Sequence, residues 1–244
     1  MSVLRGTSYN PRGSGPASAT LRAYQHIKQQ VLTCRIRPGS MIYEGDIAEA
    51  LDMSKTPVRE ALGMLAQGGY VEVRPRRGYL VTHITLSDVK EIYHLRLLLE
   101  PAAARLASVN ATDEQRERLR HLAASTAEHD YAGRVRHAHL FHEVLADASG
   151  SVRLAQALVG VLEECQRLFF IGIDLTNLVD HSGDDHKALL DALEAGESDV
   201  AEKVARDQVD RSRAVVLDRI ARILTDPDPS VSPDAITIGR GSNG

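Results

Sequence analysis

Apolar residues recur through most of this chain at steps of three and four, the spacing of one face of an α-helix. From Ser87 to about Ala107, Val89, Ile92, Leu99, Ala103 and Leu106 form such a stripe. The same period predicts helices over 113–130, 133–148, 151–172, 184–195 and 199–224, with Gly196 as C-cap and Ser198 as N-cap between the last two. Upstream, Ile47 to Leu51 reads as a short helix and Asp52-Met53-Ser54 as a tight turn. A second helix runs from Thr56 to about Gln67, with Pro57 near its first turn and Val58, Leu62 and Leu65 on its inner face. The period changes once: Val71, Val73, Leu80 and Val81 flank Arg74-Pro75-Arg76-Arg77-Gly78, the pattern of a short β-hairpin.

Both ends lack periodicity. Residues 1–18 are rich in Gly, Ser, Pro and Arg and are expected to be a disordered arm; 226–244, broken by Pro227, Pro229 and Pro233, is expected to be a loose tail. Between them the pattern predicts two domains, 19–84 and 85–225. The chain has 244 residues and a net charge of −4, but the charge is uneven. Before Thr85 there are 11 Lys+Arg against 6 Asp+Glu; from Thr85 onward there are 18 against 27. A basic module joined to an acidic one suits a phosphate-binding head on a partner domain, although an unpartnered, solvated imbalance reads the same way. Two cysteines, Cys34 and Cys165, make no disulfide framework and no Cys-rich zinc motif, which fits a reducing cytoplasm. No run of roughly 18 to 20 apolar residues exists to span a bilayer, so no membrane partner is expected.

The two short helices joined by Asp52-Met53-Ser54 must cross steeply, which projects the start of the second one outward, as a major-groove reader requires. Lys55, Thr56 and Arg59 sit at that end, able to reach phosphates, guanine O6/N7 or a thymine methyl. Arg74, Arg76 and Arg77 beside Gly78 read either as a solvated turn or as a wing contacting the DNA backbone or minor groove. The run Asp46-Ile47-Ala48-Glu49-Ala50-Leu51-Asp52-Met53-Ser54-Lys55-Thr56-Pro57-Val58-Arg59-Glu60-Ala61-Leu62, with Leu65, Gly69-Tyr70-Val71 and Arg77-Gly78, resembles the winged-helix signature of the GntR superfamily. Tyr93-His94-Leu95-Arg96 with Leu99-Glu100, then Phe141-His142, Ala148-Ser149-Gly150-Ser151 and His186, resemble its FadR-like branch with a helical FCD effector domain.

The resemblance implies a mainly α protein: an N-terminal winged helix-turn-helix followed by an all-helical antiparallel bundle. It implies a homodimeric regulator, usually a repressor, that binds a short palindromic double-stranded operator and responds to a small carboxylate-bearing effector, an organic or sugar acid. Carried over by position, Lys55, Thr56, Pro57, Arg59, Arg74, Arg76, Arg77 and Gly78 are the DNA-facing set. The family commonly has a basic residue where this chain has Gly45, so one DNA contact is missing.

Eight of the ten histidines lie in the second domain. His186 heads the stripe Leu189, Leu190 and Leu193, and His142 shares a helix side with Ala138, Leu145 and Ala146. Two rings aimed at one interior suit either a satisfied core pair or a ligand site. Many FCD domains hold a divalent metal through four residues, and the matching positions here are Ala138, His142, His186 and Gln208. Only two of the four are usual ligands, so a divalent metal (Zn, Ni or Mn) needs His139, three residues before His142, to substitute beside His142 and His186, with Gln208 offering a weak oxygen. The alternative is direct effector binding by Arg96, His142, His186 and Gln208. Arg96 interrupts an apolar stripe; it reads either as an internal salt bridge, for instance to an acidic residue of the last helix, or as a fork for an effector carboxylate. A metalloenzyme built on the histidines is a third class, but no HExxH, nucleophile elbow or Gly-rich phosphate loop accompanies them, so no enzyme activity is expected.

Overall fold

The computed structural model describes residues 16–124, 130–171, 175–176, 179, 182–225 and 236–237. These divide into two compact units, one built on the chain up to Leu86 together with the strand near the C-terminus, the other on the helices that follow.

The first unit contains α1 (Pro16–Leu32), β1 (Met41–Ile42), α2 (Glu44–Ala50), α3 (Lys55–Gln67), β2 (Val71–Arg74), β3 (Gly78–Val81), β4 (Ile84–Thr85) and β5 (Ile236–Thr237). Helix α3 buries Val58, Ala61, Leu62 and Leu65 completely against Ala23, Ile27 and Val31 of α1. The α2–α3 turn is closed by Met53 N–H to the Ala48 carbonyl at 2.9 Å, with Asp52 in the left-handed region. Pro57 lies in the first turn of α3, where its missing N–H has no intrahelical acceptor to lose. The three-stranded sheet has the order β1-β3-β2, all antiparallel, and Arg74 pairs with Gly78 across the hairpin. Gly78 has φ +104, and a Cβ there would lie 2.6 Å from the Ile42 carbonyl oxygen, so glycine is required for β1 to pair with β3.

Two expectations about the ends are corrected. Helix α1 begins at Pro16, inside the stretch read as disordered through residue 18, because proline is well tolerated in a first helical turn and the apolar face that follows is anchored on α3. Ile236 and Thr237, inside the expected loose tail, form a parallel ladder with Ile84 and Thr85. Two β-branched residues there have a strand edge to pair with. The remainder of those segments, 1–15, 226–235 and 238–244, lies outside the described residues.

The second unit is helical: α4 (Leu86–Asn110), α5 (Asp113–Ala124), α6 (Tyr131–Ala148), α7 (Val152–Phe170), α8 (Ser182–Glu194) and α9 (Ser198–Thr225). The helix expected over 113–130 is shorter, with 125–129 outside the described residues, and Asp130 instead caps α6 by accepting from Gly133 N–H at 2.7 Å. Gly196, at φ +71, ends α8 as expected, with Glu197 N–H closing onto the Ala192 carbonyl at 3.0 Å. Ser198 does not cap α9: its hydroxyl lies 2.7 Å from that of Ser108, and Ala201 N–H bonds the Glu197 carbonyl. Phe141, Leu145, Leu119, Leu189 and Leu193 are fully buried in the main helical core. Pro101 lies inside α4 and leaves the Leu97 carbonyl without its usual helical donor; Arg206 Nη1 approaches that oxygen at 3.5 Å. Among the described residues no helix is long and apolar enough to cross a membrane.

Candidate functional site

The first unit carries one surface of interest. Lys55 and Thr56 open α3 and are exposed, Pro57 is half-buried behind them, and Arg59 is 64% exposed one turn on. Arg59 is not free-standing: its Nε lies 2.9 and 3.1 Å from the two Glu44 oxygens and its Nη2 lies 2.7 Å from Oε2. The hydrogen bond and charge of Arg59 hold the Glu44 carboxyl below its ordinary range. In the wing, Arg77 N–H bonds the Arg74 carbonyl at 2.9 Å, and Arg76 occupies the left-handed region at the turn. Arg76 and Arg77 are exposed, whereas Arg74 turns back onto Glu72 at 2.9 Å. A Cβ at Gly45 would meet only the end of the Lys55 side chain, with Cε and Nζ both at 3.9 Å. Lys55 thus places a positive charge beside the position where a basic residue is missing.

The second unit contains a partly open, mainly apolar cavity of about 90 Å³ lined from α4, α6, α7, α8 and α9. It has room for a ligand of roughly six to eight non-hydrogen atoms, taking about one such atom per water-sized volume. Arg96, His139, His142, Cys165, His186 and Gln208 are among its wall residues, so every sequence-predicted effector residue is brought to one place.

The partner of Arg96 corrects the expectation of an acidic residue on the last helix. It is Glu100, one turn along the same helix, whose Oε1 accepts from Arg96 Nε at 2.5 Å. Both side chains are buried, at 7% and 1% exposure. Arg96 Nη1 donates to Cys165 Sγ at 3.3 Å and the guanidinium lies over the Tyr93 ring, 5.1 Å from its centre. The Tyr93 hydroxyl in turn pairs with Ser212 at 2.7 Å. Burial alone would raise the Glu100 carboxyl, but Arg96 and His142 overcome that and hold it down to about 2. Burial pushes the Cys165 thiol up, so it serves as a neutral wall group.

Glu100 also reaches His142, whose Nδ1 lies 2.9 Å from Oε2, close but off the axis of a straight hydrogen bond. A carboxylate there keeps the proton of a neutral imidazole on Nδ1 and leaves Nε2 bare. His142 Nε2 faces His186 Nε2 at 3.3 Å, so His186 supplies the hydrogen between them. That leaves His186 Nδ1 as a lone pair, and this atom is buried without a hydrogen-bond partner. His186 is 2% exposed and stacks on Phe141 with ring centres 4.0 Å apart. Burial, with His142 adding to it, holds His186 well below the ordinary histidine range.

The spacing of the two Nε2 atoms is one that a pair of ligands on a single zinc adopts, at about 2.0–2.1 Å each. The remaining donors do not fit. Ala138 has none, Gln208 directs its Nε2 at the Asp185 carbonyl, and His139 Nε2 faces Glu143 at 3.1 Å. Among the described residues no three His, Cys, Asp or Glu are grouped so that they could hold a metal ion. The trio His139, His142 and His186 is therefore corrected to a pair, because His139 is turned to its own helix neighbour.

Sequence reasoning missed Glu100, Tyr93, Cys165, Ser212 and Glu44. For Glu100 a signal existed in its spacing of four from Arg96; for Cys165 and Ser212, on other helices, there was none.

A winged helix-turn-helix unit followed by a helical unit with a cavity among its helices defines a class: the two-part transcription regulators of bacteria. The family model described as "Bacterial regulatory proteins, gntR family" matches residues 19–81, and that of the FCD domain matches 91–211. The chain is 33% identical over 152 residues to an HTH-type transcriptional regulator of Agrobacterium vitis, covering 59% of this chain and 86% of that protein. It is 29% identical over 165 residues to the HTH-type regulator YdhC of Bacillus subtilis, covering 64% and 74%. A solved structure from Rhodococcus sp. RHA1, described as a GntR transcriptional regulator, superposes with a TM-score of 0.72 at 26% identity over 82% of this chain and 98% of that one. The chain belongs to the GntR family of bacterial transcriptional regulators and carries an FCD domain.

Proposed function

We propose that this chain is a cytoplasmic, homodimeric repressor whose affinity for a palindromic double-stranded operator changes when a small carboxylate binds directly in the cavity of its helical unit. The observation that carries the DNA half is the exposure of Lys55, Thr56 and Arg59 at the start of α3 together with that of the wing residues Arg76 and Arg77. In a dimer, two such heads read half-sites about one helical turn apart, and the effector acts by changing their spacing or rigidity.

The cavity supports the effector half. Arg96 has Nε and Nη1 engaged, and Nη2 is the remaining donor of the fork for a ligand carboxylate. His186 lines the same cavity, and a hydroxyl on the ligand is placed to face its ring. A hydroxylated organic or sugar acid of modest size satisfies both, with Gln208 as a further polar wall group. The chain acts by binding and catalyses no reaction of its own.

A mobility-shift titration on the promoter of the protein's own operon tests the DNA half: wild type shifts it and not scrambled DNA, and Arg59→Ala loses the difference. Equal binding of both sequences by wild type and variant would end this reading. A thermal-shift screen of organic and sugar acids, repeated after chelation, tests the other half. Stabilisation by an acid that survives chelation is expected, since a ligand stabilises as far as it binds the native state; stabilisation lost with the metal returns the site to a metal-assisted one.

A further inference from the structure

The DNA-facing helix carries an arrangement that stability does not require. Arg59 is 64% exposed, yet Glu44 grips it through both Nε and Nη2. The Tyr79 hydroxyl, from the central strand of the wing sheet, is near enough to the same carboxylate to help hold it below its ordinary range. Exposed ion pairs add little to folding, because solvent screens them and two long side chains must be ordered. A carboxylate beside a surface that approaches phosphates also opposes DNA affinity, most of which comes from phosphate neutralisation. Glu44 therefore weakens binding to DNA in general and gives little to the fold.

What it does provide is orientation. The guanidinium is a planar fork of five N–H donors. With the Nε side held by Glu44, the opposite edge, with Nη1 and the outer hydrogen of Nη2, points in one direction. A bidentate contact to guanine O6 and N7 needs such a fixed edge, whereas a phosphate contact tolerates many orientations. Ordering the side chain before DNA arrives also lowers the entropy cost of the specific contact. We infer that Glu44 is a positioning residue that sets how well Arg59 discriminates bases, with Tyr79 bracing it from the wing. This rests on the DNA-reading function proposed above.

The test uses the full-length protein and a random-sequence duplex pool, so that no operator need be known. Wild type, Glu44→Gln and Tyr79→Phe are each taken through rounds of selection. Their affinities for the wild-type consensus duplex and for an unrelated duplex are then measured from 50 to 200 mM salt. Wild type is expected to enrich a palindrome with a guanine at one position of each half-site. Glu44→Gln is expected to lose preference for that guanine by about fivefold or more, the lower range for one good bidentate contact. Its affinity for the unrelated duplex should meanwhile rise by about twofold or more, as an anion has been removed from the phosphate path. Opposite movement of the two affinities is something a purely structural residue would not produce. Tyr79→Phe, which deletes only a hydroxyl, should move both in the same directions by less and guards against a misfolded Glu44→Gln. In an Arg59→Lys background, Glu44→Gln should cost no further discrimination. A Glu44→Gln motif with undiminished guanine preference, or an additive loss in the double variant, overturns the positioning role alone. Failure of wild type to enrich any motif overturns the DNA-reading function and this inference with it.

Discussion

Glu100→Gln keeps the shape of a buried side chain and removes its charge, leaving the Arg96 guanidinium in the helical core with no counter-ion. Both partners are almost fully shielded from solvent, so screening does not soften the loss. Removing one partner of such a pair costs about 3–5 kcal/mol, because the surviving charge stays desolvated. An independent route gives the same scale. The carboxyl is held from 4.5 down to about 2 against the upward push of burial, and at about 1.4 kcal/mol per unit that amounts to about 3 kcal/mol. For a chain of this size each kcal/mol moves the unfolding midpoint by about 2–4 °C, so the variant should melt about 10 °C below wild type near neutral pH. The folded value lies below the unfolded one, so this stabilisation is present above about pH 4.5 and is lost as pH falls towards 2. The gap between wild type and Glu100→Gln should therefore be full near pH 8 and close as pH falls from about 4.5 towards 2. Circular dichroism melts over that range are the assay. Replacing both partners, with Arg96→Met and Glu100→Leu, should recover most of the stability while abolishing effector-induced stabilisation, since an apolar pair avoids the desolvation cost. A midpoint drop of less than about 2 °C for Glu100→Gln, or a gap that widens in acid, would refute the reasoning, given the size of the pair's contribution.

Three further outcomes are expected. Gly45→Arg fits without collision, because a Cβ there meets only the Lys55 side chain at 3.9 Å; it should raise affinity for unrelated duplex DNA and steepen its salt dependence by about one unit, and an unchanged slope in anisotropy titrations would contradict the placement of Gly45 on the phosphate path. His186 is held neutral in the fold, its value depressed below 6.5, so its contribution is present above about pH 6.5 and lost as pH falls through the depressed value; the melting midpoint of His186→Phe should consequently fall less than that of wild type between about pH 8 and 5. Arg96→Lys keeps a charge for Glu100 but has no fork, so it should melt close to wild type and lose the thermal shift given by any acid that stabilises wild type.

The recognition helix was legible to within one residue, because Ser54 and Pro57 punctuate its start and Val58, Leu62 and Leu65 all turn inward as their period requires. The wing followed from the apolar residues flanking Arg74-Pro75-Arg76-Arg77-Gly78, while the demand for glycine at 78 comes from the Ile42 carbonyl of β1. The cavity was legible in part: Arg96 stood out as a charge inside an apolar stripe, and His186 as a ring heading one. Glu100 did not stand out, since an acidic residue in a long helix reads as solvent-facing until the arginine four residues earlier is seen to be buried too. Glu44 was hidden for a related reason, as an acidic residue at a helix start is what the helix dipole alone favours. The start of α1 and the Ile236–Thr237 ladder escaped because composition describes what a segment can bury by itself, and both are held by apolar faces or strand edges supplied from elsewhere in the chain.

The two arginines that matter most share one device. Arg59 on the surface and Arg96 in the core each have the Nε side of the guanidinium taken by a glutamate of the same unit. In each case other donors of the fork are left for a partner from outside. A carboxylate so placed lowers the net charge offered to an anion, so neither pair is arranged for maximal attraction. What each gains is a single orientation of the free donors, and a ligand or base must then match in position as well as in charge. The difference lies in the surroundings. Around Arg96 the pair is dry, so loss of Glu100 is felt first as loss of folding stability. Around Arg59 it is wet, so loss of Glu44 leaves the fold intact and is felt as loss of selectivity. One geometry thus yields two measurable phenotypes, divided by solvent exposure alone.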